Sequence, residues 1–237
     1  MFVRVEALRR LARRWRSPAR STEPTGRAQR HHIVILDGTL SSLKPGRETN
    51  AGLTYKLLRE VARENRISLY YEPGLQWRDL KSGIDVLIGR GINRQIRRAY
   101  GFLASRYRSG DRISLLGYSR GAFAVRSLAG VIDRVGLLRH PCATERNIRL
   151  AYRHYKGETS PDSRAAFRKA HSWGAVGIEM VGVWDTVKAL GARVPFNYAR
   201  SEAVHAFHDH SLSHIVQHGF HALALDETRA SFSPLLW

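Results

Sequence analysis

Cysteine is nearly missing from this chain of 237 residues. The single Cys142 cannot close an internal disulfide, which excludes a disulfide-stapled scaffold and a structural cysteine-zinc site within one chain. Acidic residues are also few, 20 against 39 Lys+Arg, and the formal net charge is +19. Lysine is scarce among the bases: 33 are Arg and 6 are Lys. No apolar stretch approaches the roughly 18–20 residues needed to cross a bilayer, and the N-terminus lacks the apolar core of a secretory leader. A soluble protein without a Sec-type signal is therefore expected. Hydrophobic residues make up 43%, enough for one domain with a real core and too many for wholesale disorder. The positive field would attract nucleic acid, anionic lipid or acidic partners without choosing among them. No nucleic-acid recognition motif accompanies it, so nucleic acid is set aside as a partner.

Residues 1–30 stand apart as a basic tail or linker, with nine Arg and only Glu6 and Glu23 as acids. Val5, Leu8, Leu11 and Trp15 recur at helical spacing among arginines, the pattern of a short basic amphipathic helix suited to an anionic membrane surface. A disordered basic extension or a start codon placed too far upstream would give the same stretch. From residue 31 to 237 short apolar runs alternate with helical periodicity, which predicts an α/β domain with a mostly parallel sheet flanked by helices. His32 to Leu36 reads as the first strand, and Asp37-Gly38-Thr39 as the turn that ends it. Thr49 to Glu64 predicts a helix burying Leu53, Leu57, Leu58 and Val61, and Ile67 to Tyr71 a second strand. Gly91 to Arg108 predicts a helix with Ile92, Ile96, Tyr100, Leu103 and Tyr107 on one face. Arg112 to Leu116 is a third strand, Ala122 to Val135 a helix, Thr144 to His171 two polar helices, and Val176 to Trp184 a strand ending at Asp185.

The stretch richest in chemistry is Gly117-Tyr118-Ser119-Arg120-Gly121. A G-x-S-x-G sequence between a strand and a helix is the pattern of a nucleophile elbow: the turn lifts the serine hydroxyl out of the sheet, and flanking glycines let backbones pass without Cβ clashes. Ser119 is the expected nucleophile. The backbone N–H of Arg120, at the helix start, is an expected oxyanion donor, joined by N–H groups of Gly38 and Thr39. A serine needs a base and the base an orienting carboxylate. Asp185, at the carboxyl end of a strand and after Ser119 in the chain, is the acid candidate. His205, His208, His210, His214, His218 and His221 all follow it, and His221 is the best base candidate among them. His210, His214 and His218 are spaced to share a helical face. No carboxylate at ligand spacing accompanies them, so a solvated polar face is expected rather than a metal site.

Several stretches together resemble the α/β-hydrolase domain of the type VI secretion lipase effectors, a phospholipase class formerly catalogued as a domain of unknown function. They are Ile35-Leu36-Asp37-Gly38-Thr39, Gly110-Asp111-Arg112-Ile113, Gly117 to Phe123, Arg126 to Gly130, Gly182 to Val187, and His221 to Arg229. The resemblance runs from about His31 to Trp237. It implies a serine hydrolase cleaving phospholipid ester bonds, with Ser119 as nucleophile and Asp185 as acid, needing no metal or organic cofactor. It also implies a secretion-machinery or immunity partner, and a cytoplasmic origin with export by a non-Sec route. Family members typically continue past the Phe232-to-Trp237 segment into a strand bearing Gly-x-His-x-Asp, and Tyr71 to Trp77 stands where they tend to carry a Gly-x-Gly turn. Two functions are thus expected to compete: an esterase or phospholipase, and a hydrolase-fold module that lacks its last strand and base and binds lipid or protein.

Overall fold

The run Ile33-Val34-Ile35-Leu36 is apolar at every position because its sheet is covered on both sides. In β1 (His31–Leu36), Ile33 and Ile35 join one buried cluster while Val34 and Leu36 join another. The computed structural model describes residues 27–74, 90–186, 212–226 and 236–237. Most of the expected basic tail, residues 75–77 of the loop after the second strand, and His205, His208 and His210 lie outside them.

Among the described residues the sheet has five strands: β1, β2 (Ile67–Glu72), β3 (Arg112–Tyr118), β4 (Ile178–Trp184) and β5 (Val216–Ala222). They run in the order β2-β1-β3-β4-β5 with every pair parallel. Parallel neighbours need crossovers, and helices supply most of them. α1 (Asn50–Val61) covers the Ile33/Ile35 side, while α2 (Arg90–Arg106), α3 (Arg120–Val135), α4 (Glu145–Tyr155) and α5 (Pro161–His171) belong to the larger layer opposite. This is the expected α/β-hydrolase-like architecture. All five residues expected on the inner face of α2, from Ile92 to Tyr107, are buried. α3, the central helix, is buried on nearly all sides, Arg126 and Ser127 included. Local chemistry sets the helix starts: Thr144 Oγ1 accepts from Asn147 N–H, and Ser160 Oγ from Ser163 N–H ahead of Pro161.

Three sequence expectations are corrected. In α1 the buried residues are Ala51 and Gly52, whereas Leu53 is exposed. The reason is the cap: Thr49 Oγ1 accepts from Gly52 N–H and donates to the buried Asp37 carboxylate, so the first turn is pinned at Gly52 rather than Leu53. β5 has no counterpart among the expected strands. Its sequence, Val-Gln-His-Gly-Phe-His-Ala, lacks a clear apolar alternation because the strand is at the sheet's edge and mostly exposed. Finally, His214 lies in the turn before β5 and His218 on β5 itself, so these two do not share a helical face.

The amino edge of the sheet is tied by Asp111. Its carboxylate accepts from the Arg27 guanidinium, from Arg30 N–H and Arg108 N–H, and from the buried His32 imidazole at 3.0 Å. Burial pushes this carboxyl up, but these donors outweigh it and hold Asp111 below the usual carboxylate range.

Candidate active site at the carboxyl edge of the sheet

Ser119 leaves β3 with φ 55° and ψ −120°, a left-handed conformation that side-chain-bearing residues rarely adopt. Two features hold it there. Ser119 N–H donates to Trp184 O at 2.9 Å, fastening the turn to the end of β4. Both flanking glycines are sterically required: a Cβ on Gly121 would meet Leu36 O at 2.1 Å, and one on Gly117 would meet Ala122 Cα at 2.6 Å. The start of α3 is thereby wedged against the end of β1. Ser119 Oγ makes no hydrogen bond among the described residues and does not cap the helix that follows it.

The turn after β1 reaches the same place. A Cβ on Gly38 would lie 3.4 Å from Ser119 Cβ. Of the two N–H groups expected from that turn, Gly38's is taken, donating to Asp37 Oδ1 at 2.7 Å. Thr39 N–H makes no hydrogen bond among the described residues. Arg120 N–H, first in its helix, has no intrahelical acceptor. Asp37 is fully buried and also accepts from Thr49 Oγ1 and Tyr71 Oη, each at 2.8 Å. Burial, reinforced by this bond, pushes the Tyr71 phenol up, so it stays a donor. Gly74 presses on the turn from the other side, where a Cβ would meet Gly38 O at 2.2 Å.

Asp185 follows β4 as Ser119 follows β3, and Tyr118 and Trp184 are register partners, so both residues emerge at one level on adjacent strands. Asp185 also has positive φ, 43°, with its N–H donating to Ala222 O and its Oδ1 accepting from Ala224 N–H. That pair ties Asp185 to the end of β5. His221 is on β5 itself, opposite Val183, which puts it two register positions below Asp185. Its Nε2 accepts from Thr186 N–H at 3.3 Å, so the proton is on Nδ1, which is buried without a partner among the described residues. Burial, aided by the Arg126 guanidinium and opposed by Asp185, holds this imidazole below its ordinary value. No hydrogen bond joins Ser119 Oγ to His221 or Asp185 among the described residues.

The model of a protein family described as T6SS phospholipase effector Tle1-like, catalytic domain, matches residues 30–237. The chain belongs to this family. It is also similar to a yeast protein, the uncharacterized protein YEL023C of Saccharomyces cerevisiae, at 30% identity over 91% of this chain. The chain spans about a third of the length of that relative (34%). No solved structure matches it. For a member of this family, sequence reasoning marked Ser119, Asp185 and the Gly38–Thr39 turn. It missed what holds them: the Asp37 carboxylate with Thr49 and Tyr71, the close approach of Gly74, and the packing of Trp237 on His221 and Arg126. Only Asp37 carried a signal, a carboxylate ending an otherwise apolar buried strand. Among the described residues no helix is long and apolar enough to cross a membrane.

Proposed function

We propose that this domain is a serine hydrolase of the esterase or phospholipase type, acting on ester bonds of phospholipids through Ser119. The strained left-handed Ser119 between β3 and α3, with a hydroxyl that bonds none of the described residues, carries the reading. Ser119 Oγ attacks the ester carbonyl as an imidazole takes its proton, and the resulting oxyanion is held by N–H groups of Arg120 and Thr39. Gly38 contributes through its backbone position rather than its N–H, which Asp37 occupies. The imidazolium then protonates the leaving alcohol, and water cleaves the acyl-enzyme by the same route in reverse. Asp185 is the orienting carboxylate. His221 is assigned as the base on its register, the nearest to Ser119 of the described histidines on β5, and to act it exchanges its bond from Thr186 N–H for one from the Ser119 hydroxyl. The reaction uses neither metal nor organic cofactor. The basic charge favours anionic phospholipid surfaces, and a secretion-machinery or immunity partner is proposed from the family alone. In domain terms, residues 1–30 form the tail and residues 31–237 the catalytic unit.

A specific observation supports a second reading. His221 Nε2 already accepts from Thr186 N–H and has no hydrogen bond with a serine among the described residues, as a hydrolase fold used only for binding would have it. A fluorophosphonate probe followed by peptide mass spectrometry separates the two. The enzyme reading expects an adduct on Ser119, absent in Ser119→Ala and strongly reduced in His221→Ala. An unlabelled Ser119 in a protein with an intact cooperative melt establishes the binding module instead.

A further inference from the structure

The described residues include few large apolar side chains left in solvent, and these are confined to one end of the molecule. Leu40 and Leu53 belong to the turn after β1 and the first turn of α1. Leu223 and Leu225 directly follow β5, and Leu236 and Trp237 are exposed as well. Contacts fix the last pair at this end: Leu236 O accepts from Arg126 Nη2 at 2.9 Å, and the Trp237 ring packs on His221 and under the Arg126 guanidinium. Leu225 is 99% exposed and Leu236 60%, far beyond what packing within the fold would leave. Phe220, late in β5, is the remaining exposed aromatic of the set. The opposite edge of the sheet presents Arg27, Gln29 and Asp111 chemistry instead.

We infer that this apolar rim is a docking surface for a lipid bilayer, which seats the Ser119 elbow directly against the membrane. The occupant follows from the mixture of chemistry. Exposed Lys44 and Arg47 stand in the same loop as Leu40 and make no ion pair among the described residues. Exposed leucines, a tryptophan and unpaired cations together are the composition that partitions into the boundary between anionic headgroups and acyl chains. Asp226, exposed beside Leu225, is outnumbered there by Lys44 and Arg47. The rim flanks the elbow: Leu40 is two residues from Gly38, where a Cβ would lie 3.4 Å from Ser119 Cβ, and Leu223 follows the strand that bonds Asp185. A lipid drawn up from a bilayer at this rim has its ester linkages at the headgroup boundary, level with the serine. The inference rests on the phospholipase reading only for what the docked surface delivers.

The test measures binding separately from catalysis. The full chain carrying Ser119→Ala is floated with vesicles of phosphatidylcholine plus phosphatidylglycerol, and with vesicles of phosphatidylcholine alone. Leu225→Glu in that background is expected to weaken binding to both by roughly ten-fold or more, the scale of losing one inserted leucine. Lys44→Glu with Arg47→Glu is expected to weaken binding to the anionic vesicles selectively, and Arg149→Glu, on α4, to change little. Equal losses from Arg149→Glu and Leu225→Glu would overturn the proposal in favour of diffuse charge attraction. A dimer in sedimentation velocity that Leu225→Glu dissociates, without vesicle binding, would overturn it in favour of a second copy. Leu225 is so exposed that its variant should fold, which an unchanged melt verifies, and Leu236→Glu supplies an independent rim variant. Fluorophosphonate labelling of the wild type reports the hydrolase reading independently. Leu225-dependent binding without a label removes the phospholipase and leaves the rim, and a label with Leu225-independent binding does the reverse.

Discussion

At the scale of single residues, the turns around Ser119 depend on buried groups behind them. Asp37 gathers three donors in full burial, so Asp37→Asn should lose about 1–3 kcal/mol through an unsatisfied or mispaired donor, read from urea denaturation. The same variant should slow fluorophosphonate labelling, because Gly38 and Thr39 are then free to shift beside Ser119. Gly121→Ala would force a methyl group onto Leu36 O and should cost about 1–3 kcal/mol or more by overpacking, visible as a lowered melting temperature. His31 supplies a pH dependence. It bonds Ser114 Oγ at 2.8 Å, and burial first, then the Arg112 charge, lowers it from 6.5 to about 4. The unfolded chain therefore binds more protons between those values, so stability is full above pH 6.5 and declines as pH falls toward 4. The buried His32 is shifted in the same direction by its burial. Urea midpoints at pH 7.5 and 4.5 should differ less for His31→Gln than for the wild type.

At the scale of elements, the order of burial follows the order of legibility. α2 and α3 are read easily in the sequence because the sheet buries one full stripe of α2 and almost every side of α3. Ile96→Ala, in the middle of α2 and fully buried, should cost about 2–5 kcal/mol in chemical denaturation. β5 was illegible for the opposite reason. An edge strand exposed on most of its length is held by main-chain bonds to β4, and those leave no mark on side-chain pattern. The phase of α1 is hidden in a related way: leucines at helical spacing suggest one buried face, while a threonine cap bonded to a carboxylate 12 residues earlier sets another.

At the scale of the whole molecule, charge and apolar surface are distributed differently. Among the described residues the basic side chains are spread over all five helices, whereas the exposed large apolar groups gather toward the carboxyl ends of the strands. Diffuse charge raises the rate of encounter with any polyanion and is screened by salt, whereas apolar contact is not. Binding to anionic vesicles should accordingly fall as salt rises and level off at the contribution of the rim, a plateau that salt-titrated flotation would reveal.

The sequence by itself determined the α/β layering, the strand–turn–helix at Ser119 and the place of Asp185 at a strand end, because each depends on local periodicity and on glycines next to one serine. Only the tertiary structure decided which N–H of the Gly38–Thr39 turn is free, since that depends on where the Asp37 carboxylate points. It also decided that His221 Nε2 bonds Thr186 N–H, and that leucines from both ends of the domain are left exposed. Those are relations between residues far apart in the chain. Chain closure and packing set them, and neither leaves a local trace.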